Sequence, residues 1–102
     1  MMRRALNFSE INAAALPALP TLCARWMPGG KRIGREYVTL NPTRADRRPG
    51  SFKVNLYTGR WADFATGDKG GDPISLAAYL AGCSQVEAAR RLAAMLGLAA
   101  LG

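Results

Sequence analysis

Hydrophobic and polar positions alternate most clearly over residues 51–57, SFKVNLY, where Phe52, Val54 and Leu56 fall on one side and Lys53, Asn55 and Tyr57 on the other. That period of two predicts a strand with a single buried face. Thr58-Gly59 reads as a two-residue hairpin turn, with glycine available for positive φ, and RWADF returns as the partner strand. The hairpin presents Lys53, Arg60 and at least one aromatic near its exposed side. Upstream, GREYVTL sets Glu36, Val38 and Leu40 against Tyr37 and Thr39 and is the other strand candidate by its Tyr, Val and Thr content.

Helical periodicity marks the two ends. Asn7 or Ser9 can cap a short helix through about Leu16, after which Pro17 and Pro20 break the path. A second short pattern of Leu19, Leu22, Cys23 and Trp26 follows and ends at Pro28, Gly29 and Gly30. Towards the C-terminus, Asp72 caps a helix with Pro73 in its first turn, where a missing N–H costs nothing; it runs through about Leu80 and stops near Gly82. Ser84 opens another as a capping box with Glu87, and Val86, Ala89, Leu92, Ala93 and Leu96 supply its apolar stripe before Gly97. The expectation is a small α+β domain: a short N-terminal helical segment, a three-stranded antiparallel sheet centred on residues 52–64, and a C-terminal helix pair covering one face.

The 102 residues allow one modest core and one domain, too small for most catalytic architectures with a dedicated cleft. Fourteen Lys and Arg against seven Asp and Glu give a formal charge of +7, which favours a polyanionic partner. Residues 25–69 hold ten of the basic residues and four acids, so the charge belongs to the middle of the chain. With no histidine and only Cys23 and Cys83, the ligands of a structural zinc site are missing, and the two cysteines read as free thiols of a reducing compartment. No apolar run approaches membrane-spanning length, and residues 1–24 do not form a signal peptide, so a soluble, cytoplasmic protein with no membrane partner is expected.

The central residues carry a resemblance. NPTRADRRPGSF, then the hairpin, then GRWADFATGDKGGDPISLAAYL resemble the zinc-ribbon DNA-binding domain at the N-terminus of bacterial and phage DNA primases, in the degenerate form of phage and plasmid primase-helicase proteins. The likeness covers about residues 26–97, leaving 1–25 as an N-terminal helical extension and 98–102 as a tail. In the zinc-bearing relatives a Cys-Pro-x-His knuckle would fall on Asn41, Pro42, Thr43 and Arg44, and a Cys-x-x-Cys knuckle near Phe64 and Gly67, ahead of the shared Gly70, Gly71 and Asp72. Every expected metal ligand is replaced here. The resemblance therefore implies the fold and a nucleic-acid partner, with no metal and no cofactor, the scaffold being held by hydrogen bonds and packing where zinc would supply folding free energy.

Four candidate sites follow from the residues. A phosphate cradle at Gly70 and Gly71 is opposed by Asp72, whose carboxylate takes the helix donors, and by Asp68. A magnesium site from Asp63, Asp68 and Asp72 is a faint signal against a structural loop of Asp63, Gly67, Asp68, Gly70, Gly71 and Asp72. A nucleic-acid surface gathers Lys31, Arg32, Arg35, Arg44, Arg47, Arg48, Lys53, Arg60 and Lys69, with Tyr57 and Trp61 beside them as rings that could stack a base. Against stacking stands a core position for Trp61 and for Phe64. Trp26, with Leu19 and Leu22, is either a docking helix or one more layer of core. The function expected is non-catalytic binding of nucleic acid, single-stranded or forked DNA ahead of plain duplex, in phage or plasmid DNA replication or mobility. The alternative is an adaptor that docks on a primase, helicase or polymerase.

Overall fold

The computed structural model describes residues 7–44 and 50–98. Helix α1 (Phe8–Trp26) is followed by strands β1 (Lys31–Ile33), β2 (Glu36–Thr39), β3 (Phe52–Asn55), β4 (Trp61–Asp63) and β5 (Lys69–Gly70), then by helices α2 (Pro73–Ala81) and α3 (Gln85–Met95). The strands form one antiparallel sheet in the order β1-β2-β3-β4-β5. The α+β class is as expected, but the sheet has five strands rather than three. β1 was hidden because its residues Lys31, Arg32 and Ile33 are all exposed and show no alternation. β5 was hidden because it is two residues long and lies inside the glycine loop.

The N-terminal expectation of two short helices is also corrected. Asn7 caps as foreseen, accepting from the Glu10 N–H at 2.8 Å, but α1 then runs 19 residues with Pro17 and Pro20 inside it. Each proline costs about 3 kcal/mol in a helix interior. The buried stripe of Ile11, Ala15, Leu19, Leu22 and Cys23 continues across both prolines, and burying its large members contributes about 1.5–3 kcal/mol each. Tertiary packing offsets the local penalty. Pro17 is exposed, as is Ala13, whose carbonyl it leaves without an intrahelical donor and open to water.

The core has two parts. Leu19, Cys23 and Met27 of the first helical segment join Leu76 of α2 and the inner face of the sheet: Tyr37, Phe52, Val54, Leu56 and Trp61. Ile11, Ala15 and Leu22 join Ile74 and Ala78 of α2 and Ala88, Ala89, Leu92 and Ala93 of α3. The helices that cover the sheet are thus α1 and α2, and α3 packs on them. The expected cover by the C-terminal pair is half right, since α3's alanines permit close approach to helices rather than to strands. Trp26 packs at the junction of both parts, the core reading of that residue. Cys23 and Cys83 are free, and burial pushes the Cys23 thiol up to about 12. No helix among the described residues is long and apolar enough to cross a membrane.

The hairpin turn is longer than its sequence suggests. Asn55 pairs with Arg60 (N···O 2.7 Å), so four residues, 56–59, make the connection. Asn55 organises it: its Oδ1 accepts from the Tyr57 and Thr58 N–H groups at 2.9 and 3.0 Å.

Candidate nucleic-acid interface

Alternation sorts each strand into a covered and an open side. On the covered side Tyr37, Phe52, Val54 and Trp61 are buried, and the rings of Phe52, Trp61 and Tyr79 lie 4.5–6.0 Å apart. Trp61 is 5% exposed, and its Nε1–H donates to Ser75 Oγ at 3.0 Å. It is a core residue and does not offer a free stacking face, which corrects its place among the binding residues.

The open side has a different register. Lys31 pairs with Val38, Val38 with Lys53, Lys53 with Ala62, and Ala62 with Lys69. Paired residues point to the same side, so three lysines stand in one row, about 10 Å from one to the next at two strand spacings each. Arg60, opposite Asn55, lies in the neighbouring row with Ile33 and Glu36. Among the described residues, none of Lys31, Lys53, Arg60 and Lys69 is paired with a carboxylate.

Phe64 continues the open side of β4. It is 70% exposed, and Lys53 Nζ stands 5.6 Å from its ring centroid, within the range of a cation–π contact. The sequence offered a core position for Phe64 as the alternative to stacking and did not count it among the binding residues; it is a surface ring. The available signal was the parity of 61–64: Trp61 and Asp63 inward, Ala62 and Phe64 outward. Lys53, Arg60, Ala62, Phe64 and Lys69 border a shallow depression of about 600 Å³.

The remaining predicted cations disperse. Arg35, in the β1–β2 turn, lies over the Tyr57 ring at 5.3 Å, and Tyr57 is 59% exposed; this pair marks the tip of the sheet. Arg32 pairs with Tyr37 and so faces away from the lysine row, its Nε donating to the Gly34 carbonyl. Arg47 and Arg48 lie outside the described residues.

Arg44 departs most from expectation. Its Nε donates to Asp63 Oδ2 at 2.9 Å and its Nη2 to Oδ1 at 3.2 Å, so this guanidinium is engaged inside the domain. Asp63 is fully buried and accepts also from Asn41 Nδ2 at 2.7 Å and the Ala65 N–H at 2.8 Å. The Arg44 hydrogen bonds hold its carboxyl far below the usual carboxylate range, against the opposing effect of burial. Asn41 Nδ2 donates as well to the Tyr79 hydroxyl at 2.9 Å, which in turn donates to Asp68 Oδ2 at 2.8 Å. Asn41 Oδ1 accepts from both the N–H and the hydroxyl of Thr43. One polar network thus joins the start of the β2–β3 connection, the end of β4, the β4–β5 turn and α2.

Every acid of the glycine loop is committed within the fold. Asp63 serves Arg44 and Asn41, Asp68 serves Tyr79, and Asp72 caps α2 by accepting from the Ser75 N–H at 2.8 Å. Ser75 Oγ in turn accepts from the Asp72 N–H, closing a capping box. The N–H groups of Asp72, Ile74 and Ser75 at the start of α2 are therefore occupied, Ile74 donating to Asn12 Oδ1. Among the described residues no group of three or more His, Cys, Asp or Glu could hold a metal ion.

The loop's glycines have unequal roles. Gly67 adopts φ +86° in the turn that returns β4 to β5. A Cβ on Gly70 would fall 2.4 Å from Trp61 Nε1 and 2.5 Å from Ser75 Oγ, whereas one on Gly71 would meet nothing within 4 Å. Close approach at Gly70 lets the indole reach Ser75; Gly71 has no such constraint.

No protein-family model matches the chain, and a search of curated proteins finds no match.

Proposed function

We propose that the chain is a non-catalytic nucleic-acid-binding module that takes single-stranded or forked DNA on the open face of its sheet. The observation that carries this reading is the cross-strand row Lys31–Lys53–Lys69, without a carboxylate partner among the described residues, with Arg60 and the exposed Phe64 on either side of it. Cations in a row attract the phosphate backbone regardless of sequence, and a ring among them offers a stacking surface for an unpaired base. The binding surface is then the open face of the sheet.

A metal-free primase-type ribbon is part of the same proposal. Asn41 and Arg44, where the first knuckle falls in that likeness, converge on Asp63, and their hydrogen bonds to its buried carboxylate stand in for a metal as the tie between two loops. The cellular role that goes with it is phage or plasmid DNA replication or mobility.

A salt series of binding to labelled single-stranded, duplex and forked oligonucleotides tests the reading. Affinity should fall steeply with salt, and Lys53→Ala/Lys69→Ala should reduce the single-strand slope by about 1.4, two phosphate contacts at about 0.7 each. An unchanged slope and affinity in that variant would remove the surface.

One observation favours the adaptor reading. Trp26, Leu80, Leu92 and Met95 line an apolar groove of about 310 Å³ between the helices. Salt-insensitive association with a primase, helicase or polymerase, without any oligonucleotide signal, would establish it instead.

A further inference from the structure

The row beside the lysines contains a residue that a phosphate-binding face does not need. Glu36 stands directly opposite Asn55, both half-buried and both bordering the depression that Lys53, Arg60, Phe64 and Lys69 surround. Its carboxylate has no hydrogen-bond or ion-pair partner among the described residues. A negative charge there repels phosphate and weakens general affinity.

Asn55 is constrained in a complementary way. Its Oδ1 is committed to the Tyr57 and Thr58 N–H groups, which fixes the orientation of the amide. Nδ2 has no partner among the described residues. The pair therefore offers two acceptor oxygens from Glu36 and, opposite them, a donor that cannot flip to become an acceptor.

We propose, building on the nucleic-acid reading above, that Glu36 and Asn55 read the Watson–Crick edge of one unstacked base and favour guanine. Guanine presents two neighbouring donors, N1–H and N2–H, followed by the acceptor O6; the carboxylate takes the two donors and Nδ2 donates to O6. Adenine and cytosine offer one amino donor beside one ring acceptor, so they satisfy the pair incompletely. Thymine flanks its single N3–H with two carbonyls and directs one of them at the carboxylate. Phe64 lies two rows along the open face, beyond the Lys53–Ala62 row, where it offers a ring to a neighbouring base, and the lysines hold the flanking phosphates. Since pairing hides this edge in a duplex, the preference belongs to single strands.

The test uses the full chain and short oligo-dT strands carrying one central dG, dA or dC, or no substitution, titrated at one fixed salt concentration. The dG strand should bind about tenfold or more tightly than all-dT. Glu36→Gln, which replaces an acceptor by a donor and removes the charge, should abolish the preference while tightening binding to all-dT. Asn55→Asp retains the turn's acceptor and should lose the dG advantage, with circular dichroism confirming the fold of both variants. Equal affinity for the four strands, with salt dependence intact, refutes base reading and leaves the lysine face standing. A dG preference that survives Glu36→Gln also refutes it. Absence of binding to all four strands overturns both proposals together.

Discussion

The two faces of the sheet are made by alternate residues of the same strands, yet they are finished in opposite ways. On the covered side every buried side-chain N or O of the described residues has a partner: Asp63 accepts four hydrogen bonds, Trp61 donates to Ser75, and the Tyr37 hydroxyl donates to the Met27 carbonyl. On the open side Lys31, Lys53 and Lys69 go unpaired among the described residues, as do the carboxylate of Glu36 and Nδ2 of Asn55. Burial makes an unmatched polar group costly, so the inner face has to be complete in itself. Solvent removes that requirement from the outer face, where unmatched groups can be kept for a ligand. Arg44 shows why charge counts alone mislead: it belongs to the basic middle of the sequence, but its partner is inside.

The contrast predicts that substitutions divide by face. Phe52→Ala empties a fully buried ring position and should cost about 3–5 kcal/mol in urea or thermal unfolding. Arg44→Ala strands the buried Asp63 carboxylate and should cost about 3 kcal/mol, so reversing Arg44 to Glu would test stability before it tested binding. A melting temperature unchanged in Arg44→Ala would break the distinction between faces. The same ion pair fixes a pH response. Asp63 ionises far more readily in the folded protein than in the unfolded chain, so its contribution is complete above the unfolded carboxylate range, about pH 4, and is lost as pH falls below it. Asp63→Asn should flatten unfolding free energy against pH in that acid window; a curve as steep as the parent's would assign the acid response to other groups.

A smaller effect separates two adjacent glycines. Gly70→Ala places a methyl against the Trp61 indole and Ser75 and should lower stability by about 1–3 kcal/mol. Gly71→Ala, in open space, should stay within about 0.5 kcal/mol. Equal melting temperatures for the two would show that the indole–serine contact adapts freely.

The glycine pair also illustrates what the sequence reveals. Caps were legible because they are local: Asn7, Asp72 with Pro73, and Ser84 each lie three residues from the N–H they bind. The inner face of β3 was legible because strict alternation marks it. Which of Gly70 and Gly71 matters was not, since the answer depends on an indole nine residues upstream and a hydroxyl beyond the next helix cap. The α1 prolines misled for the same reason, local chemistry being outweighed by a stripe buried against the sheet, α2 and α3. In the site, the lysines were named as cations but could not be aligned until β1 and β5 supplied their register. Arg44 left the expected surface because its partner, Asp63, lies 19 residues away in sequence, and Phe64 joined that surface because the parity of β4 turns Trp61 and Asp63 inward.

The smallest expected change in stability is the sharpest probe of the open face. Ala62 lies between Lys53 and Lys69 in the row, and Ala62→Lys would make that part of it continuous. With nothing buried there to displace, stability should remain within about 0.5 kcal/mol. Binding to single strands should tighten at low salt, and the slope of log affinity against log salt should steepen by about 0.7, one added phosphate contact. The same lysine at Val54, one residue from Lys53 on the covered side, would be buried beside Phe52 and Trp61 and should unfold the domain. If Ala62→Lys left the slope unchanged, phosphate would not run along this row, and the cationic face would need another explanation.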